Sequence, residues 1–216
     1  MKLWWVLRNV FPGPLVRLVF RPALHGASGL PSGGAILVVN HLSRTDPGFL
    51  QLAINRQLVF AVNERFFRQP GVTGWLLRSF LLRCESVSVQ PGNATAAQSL
   101  IDAATATVQA GRLFCVFPEG GISRDGHLHK GHTGLGRVIL ATGAATIPIA
   151  MLNTDDILPP GRWRPKLRRV HIRVGRPIDF DDHGSSSPDD ARSVTDRVMR
   201  EIEELSGRAY VDRYVH

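Results

Sequence analysis

Cysteine is scarce in this chain, and long apolar runs are absent from it. Only Cys84 and Cys115 occur among 216 residues, and neither belongs to a Cys-x-x-Cys pair. A disulfide framework is therefore not expected, and both residues are typical of buried free thiols in a reducing compartment. No stretch of about 20 strongly apolar residues occurs, so the sequence does not favour a membrane-spanning helix. Arginines interrupt the first 21 residues and no small-residue cleavage site follows, which argues against a signal peptide.

Acidic residues are in deficit as well. Lysine and arginine together number 26 against 18 aspartates and glutamates, which gives a net charge of +8 and a pI of about 10.6. This excess favours an anionic partner, such as a membrane surface, a nucleic acid or a phosphorylated small molecule. Hydrophobic residues make up 44% of the chain, which is enough for a folded core.

Apolar segments of strand length alternate with helical patterns along the chain. The strand candidates are residues 35–39, 57–62, 86–89, 113–117, 145–151 and 167–174, and the main helix candidates are 47–54, 64–82, 93–111, 133–142 and 188–207. This alternation predicts an α/β sandwich, with a mostly parallel mixed sheet flanked by helices in a single domain. The expected organisation is an N-terminal membrane-association segment (1–24), a main domain (25–180), and a polar linker with a C-terminal helix packed on the same domain (181–216).

The first segment that carries chemistry follows the strand predicted at 35–39. Four residues separate His41 from Asp46, and Pro47 follows. A histidine can take and return a proton near neutral pH, and a carboxylate on its far nitrogen would fix the tautomer and stabilise the imidazolium. The carboxyl end of a strand is also where α/β sheets place ligand crevices. Asp46 equally fits a helix N-cap before an N1 proline, and His41 a simple loop residue.

A second segment follows the strand predicted at 113–117. The chain runs from that strand into Pro118-Glu119-Gly120-Gly121. Paired glycines let a ligand approach backbone N–H groups, which can hold an oxyanion or a phosphate. Glu119 could accept hydrogen bonds from a polyol. The alternative is a glycine-rich turn with a solvated glutamate.

Two further regions favour contact with an anionic surface. Residues 1–21 mix tryptophans and aliphatic residues with arginines, and prolines break the helix, which suits a bilayer interface; an arm packed on the protein's own core is the alternative. A basic run later in the chain is expected to meet lipid head groups or donor phosphates, although a solvated strand face explains part of it. Its members are Arg162, Arg164, Lys166, Arg168, Arg169, Arg173 and Arg176.

Together the two motifs resemble those of the phospholipid/glycerol acyltransferase family, which includes the lysophosphatidic acid acyltransferases. Asn-His-x-Ser-x-x-Asp-Pro begins at Asn40, and Phe-Pro-Glu-Gly-x-x-Ser-x-Asp-Gly begins at Phe117. Further matches bring the likeness to residues 25–180. The resemblance implies transfer of a fatty acyl group from acyl-CoA or acyl carrier protein to a lysophospholipid, 1-acylglycerol-3-phosphate above all. It also implies a peripheral or monotopic enzyme on the cytoplasmic side of the cell membrane, without metal or cofactor.

The resemblance also assigns roles to residues. His41 would be the general base and Asp46 its orienting carboxylate. Substrate contacts would come from Asn40, Ser43, Arg83, Glu119, Gly120, Gly121 and Arg124. Two departures concern the acceptor: Gly121-Ile122 replaces a Thr-Arg pair whose arginine is thought to meet its phosphate, and the arginine usually found after the second block's strand is absent. Either Arg124 or Arg83 takes over this contact, or the acceptor carries no phosphomonoester.

Other function classes remain as alternatives. His127, His129 and His132 crowd one segment and could bind zinc in a metal hydrolase. A nucleic-acid binder would fit the net charge alone, but no nucleic-acid-binding motif stands out, so no nucleic acid is expected as partner. A transacylase that uses a phospholipid donor is a third alternative.

Overall fold

Seven strands form one mixed sheet at the centre of the molecule. The computed structural model describes residues 13–83, 85–89, 94–157, 166–180 and 187–215. In sheet order the strands, numbered along the chain, are β1 (Ala23–His25), β8 (His171–Val174), β7 (Thr146–Leu152), β2 (Ala35–Val39), β5 (Leu113–Val116), β3 (Leu58–Asn63) and β4 (Val87–Val89). Neighbouring strands are parallel except β7 and β8. A separate parallel pair joins β6 (Leu128–His129) to β9 (Tyr210–Val211).

Helices cover both faces of the sheet. They are α1 (Gly13–Phe20), α2 (Asp46–Ala53), α3 (Gly71–Arg83), α4 (Ala94–Gln109), α5 (Gly134–Thr142), α6 (Thr154–Ile157) and α7 (Pro188–Ser206). Side chains of α1, α2 and α3 pack on one face, and those of α4, α5 and α7 pack on the other. The predicted α/β sandwich with a mostly parallel mixed sheet is therefore confirmed. None of the described helices is both long and apolar enough to cross a bilayer.

The strand β2 is the centre of both core layers. All five of its residues are fully buried, with Leu37 paired to Cys115 of β5 on one side and Ile147 of β7 on the other. Its side chains alternate between the two layers, which explains the continuous apolar run. Each such branched side chain contributes about 1.5–3 kcal/mol when fully buried. The end of β2 is thus held in a rigid position.

Parallel strands bring several loops to one edge of the sheet. Because β7, β2, β5 and β3 run in the same direction, their carboxyl ends meet there. His41 follows β2, Glu119 follows β5 and Thr154 follows β7. The two sequence motifs therefore come together, although 78 positions in the sequence separate His41 from Glu119.

Two element boundaries differ from the prediction, and one predicted helix cap is confirmed. The helix expected at 64–82 is divided into a 3-10 turn (Glu64–Phe66) and α3, because Pro70 disfavours helix before it and Gly71 has a φ of +79°. Only residues 171–174 of the expected strand 167–174 pair as a strand, since the partner β7 ends at Leu152. The N-cap predicted for the last helix is confirmed, because the Ser187 hydroxyl accepts the Asp190 N–H at 3.1 Å.

Some of the sequence predictions concern positions that the structure does not describe. Residues 1–12 and Cys84 lie outside the described residues, as do Arg162, Arg164 and the side chain of Arg83. The membrane-interface role of residues 1–24 stays a prediction.

Candidate active site

The imidazole of His41 faces the carboxylate of Asp46 directly after β2. His41 Nδ1 lies 3.0 Å from Asp46 Oδ2, which also accepts the backbone N–H groups of Leu42 at 2.7 Å and Ser43 at 2.8 Å. Asp46 is fully buried, whereas the His41 side chain keeps 15% of its surface exposed. An ionised carboxylate only accepts hydrogen bonds, so Nδ1 carries the hydrogen and Nε2 keeps its lone pair. His41 is thereby oriented as a base.

The N-cap interpretation of Asp46 is wrong. Thr45 occupies the N-cap position of α2 and makes no side-chain cap hydrogen bond, while Pro47 lies in the first turn. The Asp46 carboxylate instead turns back to the amides of residues 42 and 43 and to His41. Its position in the first turn still suits the positive end of the helix. Asp46 therefore stabilises the motif loop and orients the histidine at once.

The Glu119 carboxylate fixes the main chain of the site by accepting two backbone N–H groups. Its Oε1 accepts the His41 N–H and its Oε2 accepts the His129 N–H, both at 2.9 Å. The residue is 1% exposed, and burial raises the pKa of its carboxyl although both N–H groups act against this. Both oxygens are engaged by backbone, so the expected hydrogen bond to a substrate hydroxyl is not supported. Glu119 is a positioning residue.

Aromatic rings line one side of His41. The imidazole stacks on Phe117, with the ring centroids 4.3 Å apart and the planes at 27°. Phe117 in turn stacks on Phe60 at 6.4 Å. Sequence reasoning treated Phe117 as the last residue of a buried strand and missed this contact. Its location at the strand end beside the motif was the available signal.

Asn40 and Ser43 are also positioning residues. The fully buried Asn40 side chain accepts the Met151 N–H at 2.7 Å and donates to the Met151 carbonyl at 3.2 Å, which joins the ends of β2 and β7. Ser43 is buried, and its hydroxyl lies 2.9 Å from that of Thr45. Neither side chain is open to a substrate, so the substrate contacts expected of them are not supported.

The two glycines of the second motif are fixed by close packing. Gly120 has a φ of +70°, and a methyl group there would lie 2.8 Å from the His132 ring. A methyl group on Gly121 would lie 2.9 Å from the Val215 side chain. The Gly120 N–H donates to the Phe117 carbonyl at 3.2 Å, so it is not available for the expected oxyanion contact. Arg124 is exposed and forms no salt bridge with another described residue.

A second histidine–aspartate pair stabilises the same loop. His129 Nε2 lies 2.9 Å from Asp125 Oδ1, which also accepts the Ser123 hydroxyl and the His127 N–H at 3.1 Å. Partial burial acts to raise the pKa of Asp125, but these hydrogen bonds hold it well below its usual range. His132 stacks on Tyr214 instead. No group of three His, Cys, Asp or Glu in the described residues could hold a metal ion, so the zinc alternative gains no support.

The segment after α7 covers this loop, which sequence reasoning did not foresee. The N–H of Leu128 donates to the Ala209 carbonyl and that of Lys130 to the Arg213 carbonyl, both at 3.0 Å. The Arg213 guanidinium also lies 3.3 Å from the Asp125 carboxylate. Two residues of strand in β9 are too few for a periodic signal.

Comparisons with known proteins agree with the resemblance that the two motifs carry. Residues 21–152 match the family model described as Acyltransferase. The chain is 27% identical over 193 residues to the chloroplastic 1-acyl-sn-glycerol-3-phosphate acyltransferase LPAT1 of Arabidopsis thaliana. The aligned region covers 86% of this chain and 48% of the relative. The chain therefore spans about half the length of that relative.

A solved structure is similar as well. It is the 1-acyl-sn-glycerophosphate (LPA) acyltransferase PlsC from Thermotoga maritima, with a TM-score of 0.65, 25% identity, and coverage of 85% of this chain and 71% of that chain. The family model covers more than half of the chain and includes both motifs. The chain belongs to the acyltransferase family.

Proposed function

We propose that this protein is an O-acyltransferase that moves a fatty acyl group from a thioester donor, acyl-CoA or acyl carrier protein, to a lysophospholipid hydroxyl. The observation that carries the proposal is the 3.0 Å contact between His41 Nδ1 and Asp46 Oδ2, with the imidazole edge exposed at the end of β2. Membership of the acyltransferase family supports the reaction class. The names of the two similar proteins favour 1-acylglycerol-3-phosphate as acceptor.

In the proposed reaction His41 Nε2 removes the proton from the acceptor hydroxyl. The alkoxide oxygen attacks the thioester carbonyl, the C–S bond of the tetrahedral intermediate breaks, and the thiolate takes the proton from the imidazolium. Asp46 stabilises that imidazolium. A base in reach contributes about 10²–10⁴-fold, and holding both substrates together supplies up to about 7–11 kcal/mol. The step needs neither a metal nor a cofactor.

The test is transfer of label from an acyl-CoA to a panel of lysolipids by the purified protein. We expect His41→Ala to lower the rate by at least about 10²-fold, because the variant lacks the Nε2 atom that accepts the proton. His25→Ala, which removes an imidazole on β1, serves as the matched control and is expected to retain activity. Circular dichroism checks that both variants fold. A folded His41→Ala variant with a near wild-type rate would contradict the proposal.

A second acceptor class has its own supporting observation. The resemblance leads one to expect an arginine at position 122. Ile122 is found there instead, and its half-buried side chain carries no charge. The acceptor panel therefore includes a monoacylglycerol and a lysoglycolipid beside 1-acylglycerol-3-phosphate. Preference for the uncharged acceptors would favour this second candidate. Label transfer from a phospholipid donor without thioester would instead indicate a transacylase.

We also propose that the protein works as a peripheral or monotopic enzyme on an anionic membrane surface, at the cytoplasmic side. Support comes from the excess of positive charge and from apolar side chains that α1 and α3 leave exposed, among them Leu18 and Trp75. Flotation with anionic and neutral liposomes tests this: equal binding to both would contradict it.

A further inference from the structure

A cavity lined by three arginines lies where the chain passes from α1 into β1. It has a volume of about 440 Å³ and is lined by Arg17, Arg21 and Arg169 together with the apolar residues Leu24 and Leu52. None of its lining residues belongs to the His41 site or to its covering loop. Nothing in the proposed reaction uses this cavity.

The three arginines have no acidic partner among the residues that the structure describes. No acidic residue lines the cavity, and none of the three pairs with a carboxylate among the described residues. The guanidinium of Arg17 donates to the Leu52 carbonyl at 3.0 Å, near the end of α2, which fixes its direction. Like charges that converge repel one another, and an anion between them removes this cost. Planar guanidinium groups match the oxygens of phosphate in particular.

The backbone at Arg21 points to the same requirement. Its φ is +42°, in the left-handed region, where the chain turns from α1 into β1. Glycine would adopt this conformation without strain, whereas a long side chain does so at a cost. The arginine at this position places a cation at the carboxyl end of α1, one helical turn after Arg17.

Exposed apolar side chains close in sequence to these arginines indicate the source of the phosphate. On α1, Leu15 and Leu18 are 53% and 69% exposed, and Leu167, two residues before Arg169, is 75% exposed. A soluble phosphate would make no use of these side chains. A bilayer surface would, because it offers phosphates and acyl chains a few ångströms apart.

We propose that Arg17, Arg21 and Arg169 form a binding site for the phosphate of a bilayer phospholipid, separate from the acyl-acceptor site, and that this site docks α1 on the membrane. The inference rests on the proposed membrane association and not on acyl transfer. It adds a defined head-group site to what would otherwise be a diffuse attraction of basic residues.

The experiment is co-flotation of the full chain with phosphatidylcholine vesicles that contain or lack phosphatidic acid. Arg21→Gly removes one guanidinium and suits the left-handed backbone, and Arg169→Gln removes another. Each is expected to weaken partitioning to the anionic vesicles about fivefold, the effect of one cation near a charged surface when it is fully engaged. Arg168→Gln removes the same charge from the neighbouring exposed residue, which does not line the cavity, and is expected to have less than half that effect.

Two outcomes would overturn the proposal. Equal losses in Arg168→Gln and Arg169→Gln would mean diffuse electrostatic attraction without a site. Unchanged vesicle partitioning of Arg21→Gly and Arg169→Gln, in variants that have lost binding of inorganic phosphate, would assign the cavity to a soluble phosphate. Acyl transfer to a short-chain, water-soluble acceptor is measured in parallel and is expected to be unchanged in the cavity variants. Loss of binding with transfer intact therefore separates this inference from the proposed function.

Discussion

The buried carboxylates of this site stabilise the loop backbone and also orient the imidazole of His41. One oxygen of Asp46 accepts three hydrogen bonds, and the two oxygens of Glu119 tie the amides of His41 and His129 together. Buried carboxylates are costly unless they accept hydrogen bonds in this way. The same bonds that compensate for burial therefore fix the imidazole in place.

Glu119→Gln tests this at the residue scale. A glutamine has one acceptor oxygen, so either the His41 or the His129 N–H meets an NH₂ group, and we expect a loss of about 1–3 kcal/mol in unfolding free energy. Because the main chain of His41 moves, the rate of acyl transfer should also fall. Urea unfolding and the labelled-acyl assay measure the two effects. The exposed Glu204→Gln is the control.

The raised pKa of Glu119 predicts the direction in which the unfolding free energy of the wild type changes with pH. Burial raises the pKa of Glu119, so between its ordinary pKa and the raised one the folded state binds more protons than the unfolded chain. Stability of the wild type should therefore decrease as pH rises through that interval. The glutamine does not titrate, and this contribution to the slope should disappear. Identical slopes of unfolding free energy against pH in both proteins would contradict the assignment.

At the scale of elements, the second motif is a tight turn between β5 and β6 rather than an open cradle. Gly120 takes a left-handed conformation against the His132 ring, and the ring itself stacks on Tyr214 with centroids 4.5 Å apart. The loop and the segment after α7 thus pack as one unit. The two glycines allow the His132 ring and the Val215 side chain to pack closely against the turn. The Gly120 N–H donates within the turn, to the Phe117 carbonyl.

Gly120→Ala should disturb this unit. The left-handed backbone costs a non-glycine residue about 1–2 kcal/mol, and the methyl group must also displace the imidazole of His132. We expect lower stability and lower activity, measured by thermal unfolding and by acyl transfer. Gly33→Ala is the matched control, because a methyl group at that position has no atom within 4 Å. Equal melting temperatures of the two variants would show that the turn tolerates a side chain.

At the scale of the whole molecule, β2 and β5 join the two layers of core. Cys115 lies in β5 next to Leu37 of β2, is fully buried, and has its thiol pKa raised by that burial. A reagent can reach this sulfur only when the sheet opens. The thiol therefore reports on opening of the core as a whole.

Labelling of Cys115 in a Cys84→Ser background checks this cooperativity. We expect the thiol to react with a disulfide reagent only through unfolding, so the ratio of its rate to that of a free peptide thiol should equal the unfolding equilibrium constant from denaturant titration. Added urea should raise both together. A reaction much faster than this ratio allows would mean that the sheet opens locally beside β2.

Patterns within short stretches predicted the layered fold and the histidine–aspartate pair, because β2, β5 and the spacing of His41 and Asp46 are encoded locally. The remaining features depend on contacts between distant parts of the chain. Phe117 contacts His41 and Val215 lies against Gly121 only after the sheet has formed. In the same way, Arg169 comes to line the same cavity as Arg17. The burial of Glu119 was not foreseen for the same reason, since it depends on contacts with His129 of β6. Sequence periodicity contains no signal for such encounters.

The pairing of β9 with β6 has a consequence for the order in which the site matures during synthesis. The ribosome releases the histidine motif and the glycine turn well before Tyr210–Val211 exists, so the nascent chain holds an uncovered loop until translation has passed α7. His132 then lacks the ring of Tyr214, and Asp125 lacks the guanidinium of Arg213. Acyl-transfer competence should therefore appear only after residues 209–215 have been synthesised, and not in a nascent chain that stops before them.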